Sequence, residues 1–167
     1  RYMERGTGHT YELIAGQNEA KKISDTTLTK VYETLWGQNG KTLIIRRLSD
    51  AGLVENLYGY IEEAGTGLVS TQGGSTTTGA TVGKINSSAI AGEVKAVAVS
   101  PDQSKFFYLN KIDGDIIGYV SDLTGKTLAT KKSQVFSSPI GSWNVSWPNT
   151  NIISLLTKPS FNIPGSL

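Results

Sequence analysis

Val94-Lys95-Ala96-Val97-Ala98-Val99-Ser100-Pro101-Asp102-Gln103-Ser104-Lys105-Phe106-Phe107-Tyr108-Leu109 is the stretch that decides the fold. An apolar run at 94–99 enters a Ser-Pro-Asp-Gln turn and leaves it as a still more apolar run reaching Ile112. Asp113-Gly114 then interrupts, and a third run follows at 116–123. Short apolar runs cut by turn residues read as strands, and Asp-Gly tolerates the positive φ angles of a tight hairpin. A strand as apolar as 106–109 suits the middle of a sheet covered on both faces.

The same rhythm extends in both directions. Strands are expected at 2–5, 10–14, 31–36, 43–48, 56–61, 94–99, 106–112, 116–123, 133–136, 143–147 and 152–157, and no window of helical periodicity competes with them. Two further units parallel the first: VYETLWGQNGKTLIIRRLSDAGLVENLYGYI from Val31 and WNVSWPNTNIISLLTKPS from Trp143. Their first turns are read as Gly37-Gln38-Asn39-Gly40 and Trp147-Pro148-Asn149-Thr150, which puts Trp36, Val99 and Trp147 at comparable first-strand positions. Gly37 to Ser100 is 63 residues and Ser100 to Trp147 is 47. The excess of 16 is about the length of a Gly/Thr/Ser-rich segment, and a period in the forties fits a four-stranded propeller blade.

That segment, residues 64–92, holds 7 Gly, 6 Thr, 4 Ser and one charge, Lys84. Its composition predicts an irregular, flexible loop over 65–80, with a short strand returning at 81–85. It reads as an insertion, because similar strands continue on both sides; a linker between two small domains is the alternative. The expected organisation is a single all-β domain, a partial β-propeller of four-stranded antiparallel blades. Residues 1–24 end one blade, 31–85 form a second with the insertion at 64–80, 94–136 form a third, and 143–167 begin a fourth. The start at Arg1 and stop at Leu167 suggest a piece of a longer protein, whose other blades, or a partner chain, would complete the ring.

Val97-Ala98-Val99-Ser100-Pro101-Asp102 followed by Phe106-Phe107-Tyr108 resembles the turn-and-strand signature of TolB-like and WD-repeat-like bacterial β-propellers. Residues 119–126, Tyr-Val-Ser-Asp-Leu-Thr-Gly-Lys, resemble the third strand and outer turn of such a blade. The sequence departs from the pattern in having no Trp-Asp ending and in carrying Gln103 where a Gly usually follows the turn Asp. The resemblance implies a fold and says little about activity.

Composition narrows the function. The chain of 167 residues has 16 Lys+Arg, 14 Asp+Glu, a formal charge of +2, one His and no Cys. Disulfide scaffolds, thiolate catalysis and Cys- or His-rich metal sites are excluded, and so small a charge does not suggest nucleic acid or a polybasic membrane contact. No apolar run is long enough to span a bilayer as a helix.

The remaining motifs read better as structure than as chemistry. Gly40-Lys41-Thr42 and Gly125-Lys126-Thr127 lack the earlier Gly of a phosphate loop, Leu35 and Val120 standing in its place. Gly6-Thr7-Gly8 and Gly65-Thr66-Gly67 are equally poor nucleotide loops. Asp113-Gly114-Asp115 as a calcium loop would require Leu109 and Lys111 as ligands, so a hairpin is expected. No Gly-x-Ser-x-Gly elbow is present, and His9 is expected as an exposed strand residue. Glu62 and Glu63 are adjacent and would point to opposite faces of a strand, as solvated charges. Trp36, Trp143 and Trp147 could stack on a carbohydrate or peptide, or fill space between blades, and packing is the expected role. Asn86-Ser87-Ser88 and Asn144-Val145-Ser146 match the glycosylation acceptor pattern by chance.

The expectation is therefore a non-enzymatic binding module of the bacterial envelope or exterior. It would recognise protein, peptide or glycan, with no catalytic, cofactor-binding or metal residues, no cofactor and no nucleic-acid partner. The alternatives are a propeller attached to or gating a hydrolase outside this piece, and a structural part of a surface assembly.

Overall fold

A computed structural model describes residues 1–64, 66–70, 76–80 and 82–157; for 66–70 and 76–80 it describes the backbone course alone. The described chain is all-β, its one helical element being a 3-10 turn at Gln38–Gly40. Strands β1 (Tyr2–Met3), β2 (Thr10–Glu12) and β3 (Lys21–Ser24) form a three-stranded sheet. Next come β4 (Val31–Gly37), β5 (Thr42–Leu48) and β6 (Val54–Glu62), then a separate hairpin of β7 (Thr66–Ser70) and β8 (Thr76–Ala80). β9 (Lys84–Ala89) returns to complete a four-stranded antiparallel sheet, β4-β5-β6-β9. A second four-stranded antiparallel sheet has the order β10 (Glu93–Val99), β11 (Lys105–Ile112), β12 (Asp115–Asp122), β13 (Lys132–Ser138). β14 (Trp143–Asn149) and β15 (Ile152–Thr157) pair as a final ladder. No helix among the described residues is long and apolar enough to cross a membrane.

The sheets pack face to face, and the second strand of each four-stranded sheet is what joins them. Alternate side chains of a strand point to opposite faces. On β5, Leu43 and Ile45 enter a cluster with Leu28, Val31, Ile61 and Ile85, onto which Met3 and Ile23 of the first sheet pack. Ile44, between them, faces the other way, into a cluster with Tyr58, Val94, Phe106 and Tyr108. β11 repeats the device: Phe106 and Tyr108 face the preceding sheet, while Phe107 and Leu109 join Trp143, Val145, Trp147, Ile153 and Leu155 around the final ladder. Full burial of each such side chain contributes roughly 1.5–3 kcal/mol. Each of the first two crossings between sheets adds a buried plug, Leu28 and then Ile90.

Two first strands carry the same irregularity. The β4–β5 register shifts between Val31 and Glu33, leaving Tyr32 as the extra residue, and the β10–β11 register shifts between Val94 and Ala96, leaving Lys95. Tyr32 and Lys95 are 63 residues apart. An extra residue in one strand frees a carbonyl from the ladder. Each freed carbonyl meets an arginine of the preceding sheet region: Arg5 Nη2 donates to Tyr32 O at 3.2 Å, and Arg46 Nη2 to Lys95 O at 3.4 Å.

Three expectations are corrected. Residues 66–70 and 76–80, expected to be irregular, pair with each other from Thr66 opposite Ala80 to Ser70 opposite Thr76. Threonine is β-branched, and its strand preference outweighs the loop-like composition; residues 65, 71–75 and 81 lie outside the described residues. The returning strand runs from Lys84 to Ala89, beyond the expected end at Ile85. The third hairpin turns at Thr150-Asn151, between the partners Asn149 and Ile152, and Trp147-Pro148 lie inside β14. The ladder shifts between Ser146 and Asn149, which accommodates a proline with no N–H to give. Trp36 and Val99 keep matching registers, opposite Leu43 and Phe106, whereas Trp147 falls within that shift. β15 ends at Thr157, and residues 158–167 lie outside the described residues.

Candidate functional site

The ends of three sheets meet at an open groove of ≈ 450 Å³. The first sheet brings Arg1 and Glu12, and just past β2 the chain exposes Leu13 (56%) and Ile14 (48%). The next sheet brings Trp36, Asn39 and Gly40, from the end of β4 and its turn, and Gln103 comes from the β10–β11 turn.

The turn after β4 is tight for a packing reason. A Cβ on Gly37 would sit 2.3 Å from Leu123 Cδ2, so only glycine fits there, and the chain then passes through three left-handed residues, Gln38 (φ 43), Asn39 (φ 54) and Gly40 (φ 81). Gln103 in the neighbouring turn is left-handed as well, at φ 59. Non-glycine residues there cost roughly 1 kcal/mol or more each. Hydrogen bonds between the turns offset that cost: Gln38 N donates to Gln103 O at 2.9 Å and Asn39 N to Gln103 Oε1 at 3.1 Å. Glutamine at 103, the departure from the usual glycine, thus supplies an acceptor that glycine lacks.

Arg1 ties the other wall. Its side chain is largely buried, with Nε donating to Glu12 Oε1 at 2.8 Å, Nη1 to Gly40 O at 2.9 Å and Nη2 to Glu63 Oε1 at 3.4 Å. Below Gln103, Asp102 organises the turn: Ser100 Oγ donates to Asp102 Oδ1 at 2.6 Å, and Ser104 donates through N and Oγ at 3.1 and 2.8 Å. Those bonds, from Ser100 first and then Ser104, hold the Asp102 carboxyl below the usual carboxylate range. The groove is therefore a rigid lining of amides, one guanidinium, one carboxylate and apolar rims. Such a lining can bind and orient; it presents no nucleophile paired with a base.

The other singled-out residues sit in structural roles. His9 is half-buried one residue before β2, not an exposed strand residue; its carbonyl accepts from Glu4 N at 2.9 Å and its N donates to Thr7 Oγ1 at 3.1 Å. Closing that turn tucks it inward. Glu62 and Glu63 diverge to different partners, Asn86 Nδ2 at 3.1 Å and Arg1. Thr42, of the first Gly-Lys-Thr triplet, is fully buried and donates to Leu123 O at 2.6 Å, linking two sheets. Gly125, of the second, lies in the long β12–β13 connection, where its carbonyl accepts from Tyr58 Oη. Asp113-Gly114 is a two-residue hairpin with φ of 51 and 97, and Asp115 opens β12. Trp143 packs edge-on to Phe136 with centroids 5.1 Å apart and donates Nε1 to Ile140 O. Trp147 packs in the same cluster, its Nε1 buried without a partner among the described residues. Trp36 alone both packs in a core cluster and lines the groove. Among the described residues no three of His, Cys, Asp or Glu gather to hold a metal ion.

No family model, curated protein or solved structure matches this chain.

Proposed function

We propose that the chain is a run of β-propeller blades, TolB-like in pattern, serving as a non-enzymatic binding module in the bacterial envelope or outside it. The observation that carries this reading is the pair of four-stranded antiparallel sheets whose second strands are apolar on both faces. A sheet so covered must have a neighbour on each side, which is the packing logic of blades. The matching bulges at Tyr32 and Lys95, and the contacts of β10 with both β4 and β14, support first strands that converge on one side. The Thr/Gly/Ser-rich, charge-poor insertion supports the extracytoplasmic setting, and the groove supplies the binding surface.

Because the chain has no Cys, labels can be placed at will. Spin labels on cysteines at Lys95 and Asn144 report the spacing of first strands, and labels at Ser87 and Gln134 report that of last strands. Blades splay from an axis, so the outer pair should be clearly farther apart than the inner pair. Equal spacings would mean a parallel stack and would overturn the propeller.

A further inference from the structure

We infer that the groove between Glu12, Trp36, Asn39 and Gln103 is a site for a short neutral saccharide. The inference deepens the binding-module reading and rests on it. The first argument is the inventory of unspent hydrogen-bonding groups. Three of the five guanidinium N–H donors of Arg1 are engaged, leaving two. Glu12 uses Oε1 and keeps Oε2. Gln103 accepts through Oε1 and keeps its NH₂, and Asn39 is held through its backbone N, which leaves its side-chain amide to a ligand. Free donors and free acceptors therefore line the same groove, the mixture that sugar hydroxyls can use.

The second argument is charge. The Arg1 cation is opposed by Glu12 and Glu63, so the lining offers no uncompensated positive charge to hold a phosphate or carboxylate ligand. The third is that β2, at one wall of the groove, is hydrogen-bonded to β1 on one side and β3 on the other, so an extended peptide cannot join that wall as a further strand. The exposed Leu13 and Ile14, with the indole of Trp36, give apolar surface against which the C–H face of a sugar ring can lie. A volume of ≈ 450 Å³ falls in the ~300–1,000 Å³ range of small-ligand clefts. The locked turns mean that little ordering is needed when the ligand arrives.

The test uses the full chain against an array of short neutral gluco-, manno-, galacto- and N-acetylglucosamine oligosaccharides, followed by calorimetric titration of those retained. Asn39→Gly keeps the left-handed backbone and removes only the amide; Leu13→Ala trims an exposed side chain. Neither variant should lower the melting temperature. Asn39→Gly should bind about tenfold more weakly, the scale of one lost hydrogen-bonded group, and Trp36→Phe should abolish a ligand-induced fluorescence change. Retention of no oligosaccharide overturns the proposal, as does binding unchanged in both variants. Binding of a peptide in the groove instead would overturn the saccharide assignment and leave the binding module standing. The propeller itself is judged separately by the label distances.

Discussion

Replacing Thr42 by valine tests whether the two four-stranded sheets are held together by a specific bond or by packing alone. Thr42 is 0% exposed, and its hydroxyl donates to Leu123 O at 2.6 Å across the interface between the sheets. Valine has nearly the same shape, so no cavity forms. The lost bond costs about 0.5–1.5 kcal/mol, and the stranded carbonyl of buried Leu123 adds about 1–3 kcal/mol. The added methyl returns roughly 0.8 kcal/mol. The net loss is therefore about 2 kcal/mol, which in a chain of this size lowers Tm by about 4–8 °C. Thr42→Ser keeps the hydroxyl and removes one methyl, for about 1 kcal/mol. Thermal and urea unfolding of the three proteins, followed by circular dichroism, give the comparison. A valine variant as stable as wild type, or a serine variant weaker than the valine one, would refute the reasoning, because packing and not the hydroxyl would then carry the interface.

Tyr58 donates to Gly125 O, and burial first, then the neighbouring Tyr60, pushes its phenol up to about 12. The folded state thus holds this proton more tightly than the unfolded state, so its contribution is full below pH 10 or so and is lost as pH rises toward 12; Tyr58→Phe should flatten that alkaline limb of a stability–pH curve. A Cβ at position 118 would lie 2.7 Å from the Phe107 ring and 2.8 Å from Phe136 Cβ, so Gly118→Ala should cost about 1–3 kcal/mol in urea unfolding. Replacing residues 65–81 by a short Gly-Ser linker should change stability by less than about 1 kcal/mol, since β7 and β8 pair only with each other. At Gln103, alanine keeps the left-handed strain and loses the acceptor for Asn39 N, whereas glycine relieves the strain; the alanine variant should unfold about 1 kcal/mol more easily than the glycine one.

The central strands were legible because their residues carry the signal themselves. Leu43-Ile44-Ile45 and Phe106-Phe107-Tyr108-Leu109 are apolar on both faces, and Asp113-Gly114 announces its turn. β3 was not legible, since Lys21-Lys22-Ile23-Ser24 has no alternation and is a strand only because β2 offers it a partner. Proline at 148 misplaced the third turn, the register shift that tolerates it being a property of the pair and not of one strand. The groove was hidden for a similar reason. Glu12, Trp36 and Gln103 are far apart in the chain; the sequence marks Trp36 as a residue that could stack on a ligand and Gln103 as standing where glycine is usual, but nothing in it brings them together or points to Glu12.

The order of strands within each sheet also bears on how fast the chain folds. In the β10-β11-β12-β13 sheet every strand pairs with its neighbour in sequence, through a five-residue turn, a two-residue turn and then the nine-residue connection 123–131. Contacts that close short loops form early, because little chain entropy is lost before the first pairing rewards it. The β4-β5-β6-β9 sheet differs at its last pairing, where Glu62 must find Lys84 across the intervening hairpin. Loop closure there is costlier, though only as the logarithm of length. The hairpin of Lys105–Ile112 with Asp115–Asp122 is thus the natural nucleus, and β9 the late arrival. Shortening the insertion should quicken the docking of β9 while leaving unfolding from the native state nearly unchanged.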